Sequence, residues 1–125
     1  MLFDTDLLIH LERRQPKAIQ LFDATDRRAV SAQSWMELLA GARNSEHLQR
    51  ILAFPRRNDL EIIPVDQAIS NRAMALMEEH ALGHGLEPGD AVIAATALTY
   101  GVPLCTGNVK HFKAVRGLKL KVFKP

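Results

Sequence analysis

The sequence predicts an α/β fold with a mostly parallel sheet, and three observations lead there. Short apolar runs of strand length (Leu2-Phe3, Ala29 to Ala32, Leu60 to Val65, Val102 to Thr106) alternate with longer segments whose apolar residues recur at helical spacing. That alternation lays helices over the faces of a parallel sheet. The chain has 125 residues, 47% hydrophobic and 24% charged, which suits a single domain spanning 1-125 with one core.

Taken in order, Leu2-Phe3 is a short strand running into Asp4-Thr5-Asp6. Thr5 or Asp6 is placed to cap the helix that Leu7-Leu8-Ile9-His10-Leu11 begins. Pro16 suits the first turn of a second helix reaching Phe22. After the Ala29–Ala32 strand, Trp35, Leu38, Leu39 and Ala42 fall at i, i+3, i+4 and i+7, a helical core face. Glu37 flanks that stripe, and Gly41 is expected to open the helix surface one turn later. Leu48, Ile51, Leu52 and Phe54 mark a helix expected to stop near Pro55, ahead of a loop at Arg56 to Asp59.

Leu60 to Val65 is a strand ended by Pro64, and Asp66 is placed to cap a helix reaching at most Leu82, with Gly83 and Gly85 closing it. Pro88-Gly89-Asp90 opens the most apolar helix, which Tyr100-Gly101 closes. Pro103 starts the next strand, Gly107-Asn108 is a turn, and Val109 to Phe112 is one helical turn at most. Leu118 to Phe123 alternates and reads as an edge strand.

No apolar run approaches membrane-spanning length, and Met1-Leu2-Phe3-Asp4 lacks the basic start of a signal peptide. Cys105 is the only cysteine and sits in an apolar run. The expected setting is therefore a reducing cytoplasm, with no membrane and no disulfide framework. The net charge of +2 hides an asymmetry. From Gly107 onward there are six Lys/Arg and no acid, leaving ten basic against fourteen acidic groups in the remainder. A basic end on a mildly acidic body suits phosphate, although solvated basic tails are common.

Asp90 is the only formally charged side chain from Pro88 to Val109. A carboxylate in such apolar surroundings needs a cap, a cation or a metal beside it. In open parallel sheets ligands bind outside the carboxyl ends of the strands. Asp4 ends the first strand there, and Thr106 and Asn108 end the Leu104 strand. Asp90 starts the helix feeding that strand, and Glu37 lies in the first turns of the helix after Val30. Carboxylates converging from separate elements suit a hard divalent cation, one that acidifies water and offsets charge on a phosphodiester. Each acid also has a plainer role: Asp4 and Asp6 as caps of the first helix, Glu37 in a Ser34-x-x-Glu37 capping box, and Asp90 as an N-cap. Capping alone leaves four acids in apolar segments unexplained.

Four segments in this order carry a resemblance: Asp4-Thr5-Asp6-Leu7-Leu8-Ile9, Ser31-x-x-Ser34-x-x-Glu37-Leu38-x-x-Gly41, Gly89-Asp90-Ala91-x-Ile93-Ala94-Ala95-Thr96-Ala97 and Thr106-Gly107-Asn108-x-x-x-Phe112. Together they resemble the PIN-domain ribonucleases, and the short length resembles toxins of the VapC type. The resemblance covers nearly the whole chain. It implies a three-layer α/β/α domain and Mg2+- or Mn2+-dependent cleavage of RNA.

By position, Asp4, Glu37 and Asp90 match the family's core acids. Asp4 and Asp90 would hold the ion, and Glu37 would orient it or help to deprotonate the attacking water. Asn108 stands where a fourth acid is common, which favours one strongly held ion. Asp6 either lends charge to the site or caps the helix, and Thr5 and Thr106 border it. Lys110, Lys113 and Arg116 would contact RNA phosphates, positioning RNA without reading its sequence. The resemblance further implies a cognate antitoxin of the VapB type and a homodimer. It leaves the RNA open among transfer, ribosomal and messenger RNA.

Two alternatives stand beside this reading. A non-catalytic PIN-like module would bind RNA without cutting it. Phe3-Asp4-Thr5-Asp6 also suggests a haloacid-dehalogenase-type phosphatase, with Asp4 as nucleophile and Asp6 as acid/base, but Leu8, Ala94 and Ala95 and the short chain depart from that pattern. His80 and His84 have a zinc-like i, i+4 spacing with no third ligand nearby, and His111 among lysines is expected to face phosphate or solvent.

Overall fold

The computed structural model describes residues 1–83 and 85–125. The strands are β1 (Leu2–Phe3), β2 (Arg28–Ser31), β3 (Leu60–Ile63), β4 (Leu104–Thr106) and β5 (Leu120–Val122). They form one sheet in the order β3-β2-β1-β4-β5, and every pairing is parallel. Leu2 lies opposite Ala29 on one side and Leu104 on the other, and Thr106 lies opposite Val122.

The helices are α1 (Thr5–Glu12), α2 (Pro16–Asp23), α3 (Ala32–Ala40), α4 (Ser45–Arg57), α5 (Gln67–His80), α6 (Pro88–Tyr100) and α7 (Val109–Phe112). Alternate strand residues point to opposite faces, and the core divides accordingly. Leu2 and Leu104 pack with Ile69, Leu76, Ile93 and Ala94 of α5 and α6. Phe3 and Cys105 pack on the other face with Leu7, Phe22 and Ile51 of α1, α2 and α4. The expected three-layer α/β/α arrangement is the one observed, with the sheet parallel throughout.

Several boundaries differ from expectation for local reasons. Of the caps considered for α1, Asp4 is the one used, in place of Thr5 or Asp6: its extended backbone leaves β1 and its Oδ1 accepts from the Thr5 amide at 2.8 Å. Ser31 caps α3, accepting from the Gln33 amide at 3.0 Å, so Glu37 lies beyond the first turn and has no part in a capping box there. α4 runs through Pro55 instead of stopping at it. A proline this close to the end removes one amide donor, and Asn58 closes the helix by giving both its backbone N–H and its Nδ2 to the Phe54 carbonyl. α5 ends at His80 and leaves Leu82 fully exposed, while Asp66 caps its start as expected. Gly41 is the C-cap of α3, with only that helix's own carbonyls nearby, so it admits no neighbouring element.

The sheet order places a crevice. From β1 the chain builds outward to β2 and β3, then returns through α5 and α6 to β4 on the other side of β1. Ligands in open α/β sheets bind where the winding reverses, outside the carboxyl ends of the strands. Here that point is the β1–β4 junction, where the Asp4 amide donates to the Cys105 carbonyl at 2.9 Å.

Candidate active site

Asp4 lies at the centre of that junction and is 4% exposed. Its Oδ2 accepts from Thr106 Oγ1 at 2.7 Å, and Thr106 in turn accepts from the Asn108 amide at 2.9 Å. Burial is the main cause that raises the Asp4 carboxyl to a pKa of about 6; the bonds from Thr106 and Thr5 oppose it, and the charges of Asp6 and Asp90 add to it. Asp6 follows in the first turn of α1. Its Oδ2 accepts from the Gly107 amide at 2.8 Å, whereas its buried Oδ1 has no hydrogen-bond partner among the described residues. Burial raises this carboxyl also. Asp6 is thus part of the junction and not the helix cap.

Glu37 reaches the same region from α3. Thr5 Oγ1 donates to its Oε1 at 2.9 Å, and Gln33 Nε2 donates to its Oε2 at 2.8 Å. Asp90 is the third residue of α6, not its N-cap: Glu87 holds that position, and Asp90 Oδ2 accepts from the Glu87 amide at 3.1 Å as half of a capping box. His111 Nδ1 stands 3.5 Å from the same oxygen. Burial raises the Asp90 carboxyl; the Glu87 amide and His111 lower it, and the charges of Glu37 and Glu87 raise it. The four acids form one electrostatic group, Asp4 feeling Asp6 and Asp90, and Asp90 feeling Glu37.

Among the described residues no three His, Cys, Asp or Glu side chains stand together as a ready metal cage. Mg2+ does not need one, because it keeps several waters and uses one or two carboxylates plus substrate phosphate. The donors here are hard oxygens, three of the carboxyls are held above their ordinary range largely by burial, and one buried carboxylate oxygen lacks a donor among the described residues. That chemistry fits a divalent cation.

The other expected residues spread around this group. Asn108 is exposed and bonds no cap with its side chain. Lys110 and Lys113 are exposed on and just after α7 and form no ion pair among the described residues. Arg116 is 89% exposed and engages Glu79 of α5 at 2.9 Å, an open ion pair that contributes little and exchanges readily. The expected His80–His84 spacing involves His84, which lies outside the described residues. Sequence reasoning missed Gln33, whose i, i+4 relation to Glu37 was the available signal. It also missed the Asp90 contact of His111, which no sequence spacing encodes.

Gly107 has a testable role. A Cβ there would stand 2.8 Å from Asp6 Oδ2 and 3.3 Å from the Phe123 carbonyl. Gly107→Ala therefore displaces a partly buried carboxylate from its amide donor and is expected to cost about 1–3 kcal/mol. Thermal unfolding measures this; an unchanged midpoint would show that the turn has slack.

The PIN domain family model matches residues 1–118. The chain belongs to the PIN-domain family. Its relatives place this PIN domain more narrowly, among the VapC type. It is 34% identical over 94 residues to Ribonuclease VapC10 of Mycobacterium tuberculosis, covering 73% of this chain and 67% of that one. It is 27% identical over 125 residues to the tRNA(fMet)-specific endonuclease VapC of Shigella flexneri, covering 94% and 93%. A chain in a solved toxin-antitoxin complex from Klebsiella pneumoniae superposes with a TM-score of 0.77 at 34% identity, covering 94% of this chain and 93% of that chain. VapC ribonucleases of the PIN family generally depend on a divalent metal. Membership sets aside the phosphatase alternative. No helix among the described residues of this PIN domain is long and apolar enough to cross a membrane.

Proposed function

We propose that this chain is a Mg2+- or Mn2+-dependent endoribonuclease that hydrolyses RNA phosphodiester bonds. In this reading it is the toxin of a type II toxin–antitoxin pair, a cytoplasmic homodimer neutralised by a cognate VapB-type antitoxin. The supporting observation is that the charges of Asp6 and Asp90 act on Asp4, and that of Glu37 on Asp90, beside the β1–β4 junction, in a fold shared with a chain of a solved VapBC complex.

Asp4 and Asp90 would hold the cation, which when bound acidifies the attacking water and offsets charge on the phosphoryl oxygens. Thr106 fixes the plane of the Asp4 carboxylate, and the start of α6 fixes that of Asp90. Glu37, the most accessible of the three core acids, is placed to accept a proton from water. Asp6 adds negative charge beside Asp4, and Asn108 adds none. Lys110, Lys113 and Arg116 supply phosphate contacts on the basic side of the crevice. Four carboxylates with no cation repel RNA, so cleavage is strictly metal-dependent in this scheme.

The test is cleavage of transfer, ribosomal and messenger RNA by the purified protein. Cutting is expected with Mg2+ or Mn2+, none with EDTA, and restoration on adding metal back. RNA bound equally well with and without metal, and never cut, would sink the nuclease reading in favour of a binding module.

A further inference from the structure

We propose that Gln33 is a positioning residue for Glu37, clamping its carboxylate together with Thr5 against the start of α6 at Gly89. The inference rests on the nuclease reading of this site. Each Glu37 oxygen has its own donor, Thr5 Oγ1 at 2.9 Å on Oε1 and Gln33 Nε2 at 2.8 Å on Oε2. The two donors come from different helices, α1 and α3, so the carboxylate is fixed in rotation as well as in place. Both are neutral. A lysine or arginine there would hold the same oxygens while cancelling the charge that a water or a cation needs.

Gly89 completes the arrangement. A Cβ on Gly89 would stand 3.0 Å from Glu37 Oε2 and 3.1 Å from Gln33 Nε2. The first turn of α6 therefore rests directly on the Gln33–Glu37 hydrogen bond, and the next residue along that turn is Asp90. The bond sets where Glu37 stands relative to Asp90. Misplacing a reacting group by about 1 Å can cost 10²-fold in rate.

Gln33→Met keeps the length of the side chain and removes the donor. Its kcat on RNA is expected to fall about 10- to 100-fold, with KM within about twofold and the melting temperature within about 3 °C of the parent. A double-mutant cycle with Glu37→Gln separates this role from a direct RNA contact: the Met substitution should slow Glu37→Gln little or not at all. Equal slowing in both backgrounds, or a wild-type kcat for Gln33→Met, overturns the proposal. The crystal structure of Gln33→Met gives a readout independent of rate. A Glu37 carboxylate turned away from Gly89 supports the clamp, and one left in place overturns it. If Gln33→Met does not fold, Gly89→Ala tests the same hydrogen bond from its other side, with the same expectations for kcat and KM. Full activity in Glu37→Gln and Asp90→Asn would instead mean that the nuclease site itself is misassigned.

Discussion

Asp90→Asn is expected to reduce RNA cleavage by about 10³-fold or more while leaving the fold at least as stable as the parent. The two effects separate because the capping role of Asp90 and its proposed role toward a cation use different properties. Its capping role needs only an acceptor for the Glu87 amide, and Asn Oδ1 supplies one. Its role toward a cation needs the negative charge, which Asn lacks. Removing that charge also relieves repulsion from Glu37 and Glu87 in a partly desolvated position. Asp90→Ala removes both roles, so it adds a loss of about 1 kcal/mol of cap stability to the loss of cleavage. Side-by-side rates and melting curves of the two variants check this. Asp90→Asn cleaving within tenfold of the parent would show that the charge at this position is dispensable.

The metal-free protein is expected to lose stability as the pH rises from about 4 to 7, and Asp4 is the main reason. The Asp4 carboxyl is held at about 6 in the fold against an ordinary value of 3.8. Between these values the native state binds more protons than the unfolded chain, so the unfolding free energy falls with rising pH. The stabilisation is fully present below about pH 4 and gone once the pH has passed about 6. The difference corresponds to an order of magnitude of about 3 kcal/mol. Asp4→Asn removes the titrating group. It keeps an acceptor for the Thr5 amide, and its Nδ2 can donate to Thr106 Oγ1. The variant should therefore be more stable than the parent at pH 7.5 in EDTA, with the gap closing toward pH 4, and it should be inactive at every pH. Mn2+ binds the native state only and should raise the parent's melting temperature at pH 7.5 but not the variant's. A parent and variant whose melting curves keep a constant gap from pH 4 to 8 would show that Asp4 is not strained by its burial.

In both variants the asparagine keeps the hydrogen-bond acceptor that folding uses and removes the charge that the proposed chemistry needs. A capping aspartate replaced by asparagine changes little. A buried carboxylate kept for a cation makes the fold more stable when its charge is removed and the enzyme inactive.

Much of this molecule was legible in its sequence because the relevant interactions are short-range. Strand and helix order follows from hydrophobic spacing, and the cap at Asp66 and the αL closure at Gly101 follow from residue chemistry within one turn. The four acids stand out because each sits in an apolar segment. The missed boundaries have equally local causes: Ser31 leaves β2 directly into α3 and becomes its cap, and Pro55 falls late enough in α4 to be carried.

What the sequence by itself determined was the inventory: an α/β chain, its elements, and acids where strands end and helices begin. Only the tertiary structure decided which of them meet. Thr106 donates to Asp4 across 102 positions because β4 inserts beside β1, and Gly107 reaches Asp6 for the same reason. His111 comes to Asp90 because α7 follows that strand, and Arg116 reaches Glu79 of α5 across the surface. Strand order is set by how the whole apolar surface is buried, a property of both faces of the sheet at once. No window of residues contains it, and so none contains the polar contacts that depend on it.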